Sequence, residues 1–360
     1  MKIAIIGSHG FNVVYGGFET FIRELIINMS NRDIRFIVYA RRHTVNVFEP
    51  YSSEKITIVN LRTIERKNLV QFTHSLNATF RSFFIQCDIV LYVNIANAPF
   101  ALIQKLFTRR KVIICVDGIE WKRKKWNLIG KGYFYLCARF SKYCTHHLIA
   151  DSKEIVSQYK NQFKAESKYI SYGANTYFSE KEKIEFEPNS YYLIIGRIIP
   201  DNNIDFLINH LLRSNTKKQI VLVGELKKCY KYQNDIIKIA DYRVIKVGLI
   251  TSISRLNLLL KNCFCYLHGH EFGGTNPILL QALGNGALTF ALNTAYNREV
   301  ISDKYGLLFD KNSFTHKIKN IEDGKENYNK IKILAKEYIN EKYNWKSVVE
   351  QYYELFTNCN

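Results

Sequence analysis

The sequence predicts an α/β protein built from two doubly wound parallel sheets, and three observations carry that prediction. The chain has 360 residues, more than one ordinary hydrophobic core accommodates, so two domains of roughly 150 to 200 residues are expected. Short apolar runs recur along it, each followed by a Gly-rich or polar turn and then a helical pattern. The runs are apolar throughout rather than alternating, which is how strands read when helices cover both faces of a parallel sheet.

The first set begins with Ile3–Ile6, a turn over Gly7–Gly17 and a helix over Glu19–Met29. Ile34–Ala40, Ile56–Leu61, Ile89–Val93, Lys111–Val116 and His147–Ala150 continue it as buried strands. A charged stretch with one proline, Glu180–Asn189, interrupts the pattern. A second set follows at Tyr191–Ile195, Gln219–Val223, Arg243–Val247, Cys263–Leu267 and Leu288–Ala291. This places one domain over 1–178 and another over 179–342, with a cleft expected between two sheets of similar size. In such sheets ligands sit outside the carboxyl ends of the strands, so the strand-to-helix loops are where chemistry is sought.

Composition narrows the class. With 47% hydrophobic and 23% charged residues and only 5 prolines, the chain is globular rather than disordered or of low complexity. The formal charge is +19, and it is uneven: 26 Lys and Arg face 13 Asp and Glu in residues 1–180, against 25 and 19 in 181–360. A basic first half suits phosphate groups, an acidic membrane surface or nucleic acid, and equally a generally basic solvated surface. No recognisable nucleic-acid module accompanies it, so nucleic acid is not expected as a partner. The 8 cysteines contain no CxxC pair and match neither a zinc site nor a small disulfide framework, so reduced thiols are expected. No signal peptide and no stretch of 18 uncharged apolar residues is found, which predicts an intracellular protein that at most lies on a membrane.

Four segments carry chemistry. The first reads Gly7-Ser-His-Gly10 and then Tyr15-Gly16-Gly17-Phe18-Glu19-Thr20. Glycines after a first strand let backbone approach a ligand, and a helix start favours phosphate; the same Gly-Gly also makes a plain tight turn. The GxGxxG spacing is absent, which disfavours a nicotinamide-dependent oxidoreductase, and no Walker A lysine follows. The second is Val116-Asp117-Gly118-Ile119-Glu120-Trp121, running into Lys122-Arg123-Lys124-Lys125-Trp126. Carboxylates at a strand end suit general-base, orienting or hydroxyl-binding work. The basic residues between two tryptophans suit a phosphate or an anionic headgroup, or the start of an interfacial helix; a solvated basic helix reads the same way.

The third segment sets Arg197 just beyond a strand, after Gly196, where two guanidinium donors can clamp a diphosphate. The fourth runs from His268-Gly269-His270 through Gly273-Gly274-Thr275-Asn276 to Pro277, Gln281 and Gly286. Its free backbone N–H groups, Thr hydroxyl and helix start form a diphosphate cradle, and proline is harmless at the first helical position. His268 and His270 lack a third ligand or carboxylate, which favours hydrogen-bonding or structural histidines over a metal pair.

Taken in order, these segments resemble family 4 retaining glycosyltransferases, of the GT-B fold, and more narrowly their bacterial rhamnosyltransferase-like branch. The matches are Tyr-Gly-Gly-Phe-Glu-Thr at 15–20, Val-Asp-Gly-Ile-Glu-Trp-Lys-Arg at 116–123, Pro-Asp-Asn-Asn-Ile at 200–204, and His-Gly-His with Gly-Gly-Thr-Asn-Pro at 268–277. The resemblance spans the whole chain and implies that the terminal segment 343–360 forms a helix packing back on the N-terminal domain. It implies a nucleotide-sugar donor held by Gly16, Gly17, Arg197, Asn202, Gly273, Gly274, Thr275, Asn276 and Gln281. Arg197 would be catalytic, with Asp117 orienting, and Asp117, Glu120, Trp121, Lys122 and Arg123 would hold the acceptor.

The implied reaction retains anomeric configuration and needs no metal or other cofactor, because cationic groups stabilise the leaving diphosphate. The implied donor is dTDP- or UDP-linked, with rhamnose first and glucose, galactose or an N-acetylhexosamine as alternatives. The implied acceptor is a lipid-diphosphate-linked saccharide of bacterial surface polysaccharide (O-antigen, capsule or cell wall), reached from the cytoplasmic side of an anionic inner membrane. Three positions depart from the broad family: Gly273 and Gln281 stand where two glutamates are usual, and Asn202 where a lysine is expected. A non-catalytic nucleotide-sugar-binding protein therefore stays open as an alternative.

Overall fold

The computed structural model describes residues 1–13, 16–42, 51, 53–64, 66, 69–179, 181–214, 216–228, 230–324 and 327–358. Among the described residues the chain divides into two compact units. Unit 1 comprises Met1–Lys122, Trp126–Tyr172 and Trp345–Asn360, and unit 2 comprises Arg123–Lys125 and Gly173–Asn344.

Unit 1 has seven strands: β1 (Lys2–Ile6), β2 (Arg35–Arg41), β3 (Ile56–Leu61), β4 (Ile89–Val93), β5 (Lys111–Val116), β6 (His147–Ala150) and β7 (Lys168–Tyr169). Its helices are α1 (Gly17–Asn28), α2 (Val70–Phe83), α3 (Ala98–Phe107), α4 (Leu128–Cys144) and α5 (Lys153–Phe163). The sheet order is β3-β2-β1-β4-β5-β6-β7, and its paired strands run parallel. The central strands are apolar because both their faces are covered: Ile89–Val93 is buried at every residue. The two-residue edge strand β7 has no apolar run to announce it, and sequence reading did not anticipate it.

The chain leaves β1 toward β2 and β3, then returns to add β4 to β7 on the other side. Right-handed crossovers in opposite directions put the helices on opposite faces. Accordingly α2, α3, α4 and α5 form one continuous layer, each packed against the next.

Unit 2 has six strands: β8 (Tyr191–Ile195), β9 (Gln219–Val223), β10 (Val244–Gly248), β11 (Cys265–His268), β12 (Thr289–Leu292) and β13 (Leu307–Phe309). Its helices are α6 (Ile204–Arg213), α7 (Lys231–Ile237), α8 (Ile253–Asn262), α9 (Pro277–Gly284), α10 (Ala295–Tyr305), α11 (Phe314–Glu322) and α12 (Asn329–Lys342). The order is β10-β9-β8-β11-β12-β13, again parallel. Its core includes Tyr192, Ile194, Leu207, Leu211, Leu222 and Phe290. Each fully buried aliphatic or aromatic side chain of this kind contributes about 1.5–3 kcal/mol.

The last helix, α13 (Trp345–Asn358), belongs to unit 1, as the resemblance implied. Its buried positions Trp345, Val348, Val349, Tyr352, Leu355 and Phe356 fall on one helical stripe. Tyr352 packs against Phe21 of α1 at 5.1 Å between ring centroids. Among the described residues no helix is long and apolar enough to cross a membrane.

Candidate functional site

In each sheet the strand order reverses once, and a parallel α/β sheet opens a crevice at the carboxyl ends of the strands there. In unit 2 the reversal lies between β8 and β11, in unit 1 between β1 and β4. Three of the four sequence-selected loops fall at these two places, since Arg197 follows β8, the His268–Asn276 segment follows β11 and the glycine loop follows β1; the Val116–Trp126 segment follows β5 instead.

At the unit 2 switch point, Gly196 has φ +157°, and a Cβ there would lie 3.1 Å from the His270 ring and 3.3 Å from the Asn202 amide nitrogen. Only glycine fits, because a side chain would displace the imidazole or strain the backbone. Arg197 follows with an exposed side chain, while its backbone carbonyl accepts a 2.8 Å hydrogen bond from Asn202 Nδ2. Asn203, at φ +52°, donates through Nδ2 to the carbonyl of Gly269 at 2.8 Å and accepts from Lys311 Nζ at 2.7 Å. Gly269 is required in turn, since a Cβ would stand 2.5 Å from the Asn202 carbonyl. The loops after β8 and β11 are thereby tied into one body.

The two histidines serve that body. Their rings stack at 4.2 Å and 10°, and His268 Nδ1 hydrogen-bonds the Tyr266 hydroxyl at 2.9 Å. Burial lowers the His268 pKa to about 3; burial first, then His268, Arg197 and Arg123, hold His270 well below the ordinary imidazole value. Both rings are therefore neutral at pH 7, and among the described residues no group of three His, Cys, Asp or Glu gathers around them. Beside them, Glu271 Oε1 accepts from Lys311 and Oε2 from Lys124, each at 2.9 Å. Burial opposes ionisation of this carboxyl, but the hydrogen bonds from Lys124, Lys311 and Asn203 outweigh it and depress its pKa.

Gly273 has φ +147°, a backbone that favours glycine, and Arg123 Nη2 lies 3.9 Å from where its Cβ would be. Gly274 follows, Thr275 is buried, and Asn276 caps α9 by accepting from the Ile278 N–H at 3.2 Å. Pro277 is the first residue of α9. The helix stops after Gly284, where a Cβ would meet the Thr176 methyl at 2.6 Å, and Gly286 turns the chain at φ +74°. Gln281 is buried in α9, and its carbonyl accepts from the Asn285 amide at 2.8 Å. The Gly273–Asn276 loop thus sets a helix start beside Arg123, an arrangement whose chemistry suits an anion.

At the unit 1 switch point, Gly7 has φ +108°, and a Cβ would stand 2.4 Å from Asn97 Nδ2. Asn97 donates to the Val93 carbonyl at 2.6 Å, and Asn94, at φ +76°, caps the next turn by accepting from Ala96 N–H. Gly16 is the extended N-cap of α1, Gly17 its first residue, and buried Glu19 accepts from the His9 N–H at 2.9 Å. Tyr15 of the same motif lies outside the described residues. The asparagines after β4 were not selected from the sequence, because Asn-Ile-Ala-Asn carries no glycine signature.

The second sequence segment divides. Asp117 stands at the end of β5, half-buried. Glu120 is buried and accepts from Trp126 Nε1 at 2.8 Å, while Trp121 packs edge-on against Tyr135, Tyr159 and Phe163. Lys122 is exposed, with Nζ 3.5 Å from Gln158 Oε1. Arg123, buried, and Lys124 are instead part of unit 2.

A family model described as a domain of unknown function, DUF1972, matches residues 1–175. No curated protein matches the chain. Among solved structures the chain is similar to sucrose-phosphate synthase of Thermosynechococcus elongatus, at 15% identity, 99% of this chain, 98% of that one and a TM-score of 0.81. It is similar to HepE of Anabaena in complex with UDP-glucose, at 13% identity, 99% and 100% coverage and a TM-score of 0.76. It is also similar to a glycosyltransferase of Rickettsia africae, at 13% identity, 99% and 98% coverage and a TM-score of 0.72. At such identities the likeness is one of fold, and the fold is GT-B.

Proposed function

We propose that this chain is a nucleotide-sugar-dependent glycosyltransferase whose donor diphosphate binds at the unit 2 switch point. The observation that carries the reading is that Arg197, held through its own carbonyl by Asn202, and the Gly273–Asn276 loop at the start of α9 follow two neighbouring strands, β8 and β11, at the switch point. Both offer donors without an acidic side chain of their own, and together they suit a leaving diphosphate. The similarity to HepE, solved with UDP-glucose, and to a glycosyltransferase of Rickettsia africae supports the same reading.

In the proposed reaction Arg197 Nη atoms and the loop N–H groups stabilise charge developing on the diphosphate as the glycosidic bond breaks. Arg123, beside Gly273, supplies a further positive charge, and it compensates for Asn202 standing where family 4 members carry lysine. Gln281 hydrogen-bonds the ribose, and the Gly16–Gly17 backbone is the further donor-binding group that the family resemblance implies. The acceptor is held by unit 1, with Asp117 as orienting group and Glu120, Trp121 and Lys122 shaping its binding region. Configuration is retained and no metal or other cofactor takes part, the leaving phosphate accepting the acceptor proton.

The finer reading is a family 4 enzyme of the rhamnosyltransferase-like branch. It would move rhamnose from a dTDP donor to a lipid-diphosphate-linked saccharide at the cytoplasmic face of the membrane. Incubation of the purified chain with dTDP-rhamnose, UDP-glucose, UDP-galactose and UDP-N-acetylglucosamine and lipid-linked acceptors tests it. Transfer from dTDP-rhamnose is expected. Transfer from another donor corrects the sugar, and tight nucleotide-sugar binding without turnover on any acceptor makes the chain a binding protein instead.

A further inference from the structure

Three helices of the layer on one face of the unit 1 sheet, α2, α3 and α4, carry large apolar side chains on their solvent side. The buried side of α2 consists of His74, Ser75, Ala78, Thr79 and Ser82, small or polar residues. Its exposed side carries Phe72, Phe80 and, just past its end, Phe84, which is 89% exposed. On α3, Ile103, Leu106 and Phe107 are exposed, the last at 76%. On α4 the outward residues Leu136, Phe140 and Tyr143 recur at helical spacing, after Leu128 and Ile129 in the first turn. Large apolar side chains on the outside of three successive helices form a patch, not the scattered exposure ordinary for a surface.

The carboxyl ends of these helices are fastened together. Arg110, just beyond α3, donates to the carbonyls of Ser82 and Ile85 at the end of α2, each at 2.6 Å. Lys105 of α3 donates to the carbonyls of Tyr143 and Thr145 at the end of α4, at 3.1 and 2.8 Å. Phe84, Phe107 and Tyr143 are therefore brought to one end of a rigid layer.

The charge of this face has one sign. The segments forming α2, α3 and α4 contain no Asp or Glu, and Arg81, Arg139 and Lys142 are exposed among the aromatic residues, with Arg109 after α3. Asp88, a nearby acid in sequence, accepts the Lys2 N–H at 2.7 Å. Arg81 also lines a groove together with Arg42, Arg62, Asn60, Leu61 and Asn77. We propose that the outer face of α2, α3 and α4 is a docking surface for an anionic lipid bilayer. Its aromatic and aliphatic side chains enter the headgroup–acyl boundary while the arginines and lysines meet lipid phosphates.

Charge decides the occupant. Two copies of this chain packed through the same face about a two-fold axis would set arginines and lysines against one another with no acid on the three helices to answer them. An anionic lipid surface supplies the missing charge and takes the apolar side chains together. The surface differs from Lys122–Lys125, where Arg123 is buried and Lys124 is paired with Glu271. The inference rests on the proposed lipid-linked acceptor for its purpose, though the surface is separate from the donor cradle.

The test is co-sedimentation of the full chain with phosphatidylcholine vesicles and with vesicles containing phosphatidylglycerol. Binding to the anionic vesicles is expected, weakening as salt rises. The triple variant Phe84→Ser, Phe107→Ser, Phe140→Ser should lose at least tenfold in that binding, and Arg81→Ala with Arg139→Ala should weaken it while keeping the circular dichroism of the parent. A parent chain that stays in the supernatant with anionic vesicles, or variants that sediment as the parent does, overturns the proposal. So does a concentration-dependent dimer of the parent that the triple variant makes monomeric. Calorimetric binding of dTDP and UDP, unchanged in these variants, keeps the two readings apart: its absence in the parent would count against the donor site and leave the lipid surface standing.

Discussion

Asn202 holds Arg197 by donating its side-chain amide to that residue's backbone carbonyl at 2.8 Å. In the proposed donor site a lysine at 202 would add a second cation, whereas the asparagine fixes the backbone of the loop that carries Arg197. Arg197→Ala should therefore lower turnover sharply, by roughly 2 to 4 kcal/mol in transition-state stabilisation. Asn202→Ala should lower it about tenfold, the worth of one positioning hydrogen bond of about 1.4 kcal/mol. Steady-state kinetics with the accepted donor reads both, and a folded Arg197→Ala protein with parental kcat would remove that residue from the diphosphate site.

Gly196 bears on the same loop through sterics alone. Its φ of +157° and the 3.1 Å approach of a would-be Cβ to the His270 ring mean that Gly196→Ala displaces the imidazole or strains the turn. A loss of about 1–3 kcal/mol is expected. Urea unfolding measures it, and a variant as stable as the parent would show that the loop relaxes freely.

Two buried histidines, His74 and His268, and the half-buried His270 predict an acid limb of stability. Burial, then the charge of Arg41, lowers the His74 pKa to about 4, and burial lowers that of His268 to about 3 and that of His270 further below normal. In the unfolded chain each imidazole takes its proton near pH 6.5. Below that value the unfolded state binds more protons than the folded one. Stability is thus fully present above about pH 6.5 and declines as pH falls toward 4 and then 3, by on the order of 3 kcal/mol at pH 4 for each of His74 and His268. Thermal midpoints between pH 7.5 and 4.5 should fall with pH, with net proton uptake on unfolding. A flat profile would contradict neutral burial.

Docking of α13 within unit 1 predicts a stability effect of its own. Tyr352 is buried against Phe21 and Phe356, with its hydroxyl 3.6 Å from Cys115 Sγ. Tyr352→Ala should cost about 3–5 kcal/mol through the cavity and the lost aromatic contacts. Outside α13's buried stripe, Glu350→Ala removes a partly exposed ion pair to Arg32 and should cost less than about 1 kcal/mol. Equal destabilisation by the two, read from urea midpoints, would mean that this helix is not held by its apolar stripe.

How much was legible in advance follows from how local each signal is. The buried strands Ile89–Val93 and Tyr191–Ile195 were found at the bounds they occupy, because an unbroken apolar run between turns needs no distant partner to be recognised. The edge strands β7 and β13 were missed, since two or three residues pair only because a neighbouring strand is already in place. The glycine loops were visible, but the residues they press against were not. That Gly196 meets His270, and Gly7 meets Asn97, depends on two strands distant in sequence lying side by side.

The sequence by itself determined the α/β alternation and the two parallel sheets, written in apolar periodicity and turn placement, while the return of the terminal helix was implied only by the family resemblance. Only the tertiary structure decided which groups act together. It placed Arg123–Lys125 in unit 2, apart from Lys122 in unit 1, and it tied Lys124 and Lys311 to Glu271. It also turned Phe84, Phe107 and Phe140 outward while Trp121 entered an aromatic core. The physical reason is that charge pairing and burial are set by distances through space, and a chain of 360 residues encodes those distances only once its strands are paired.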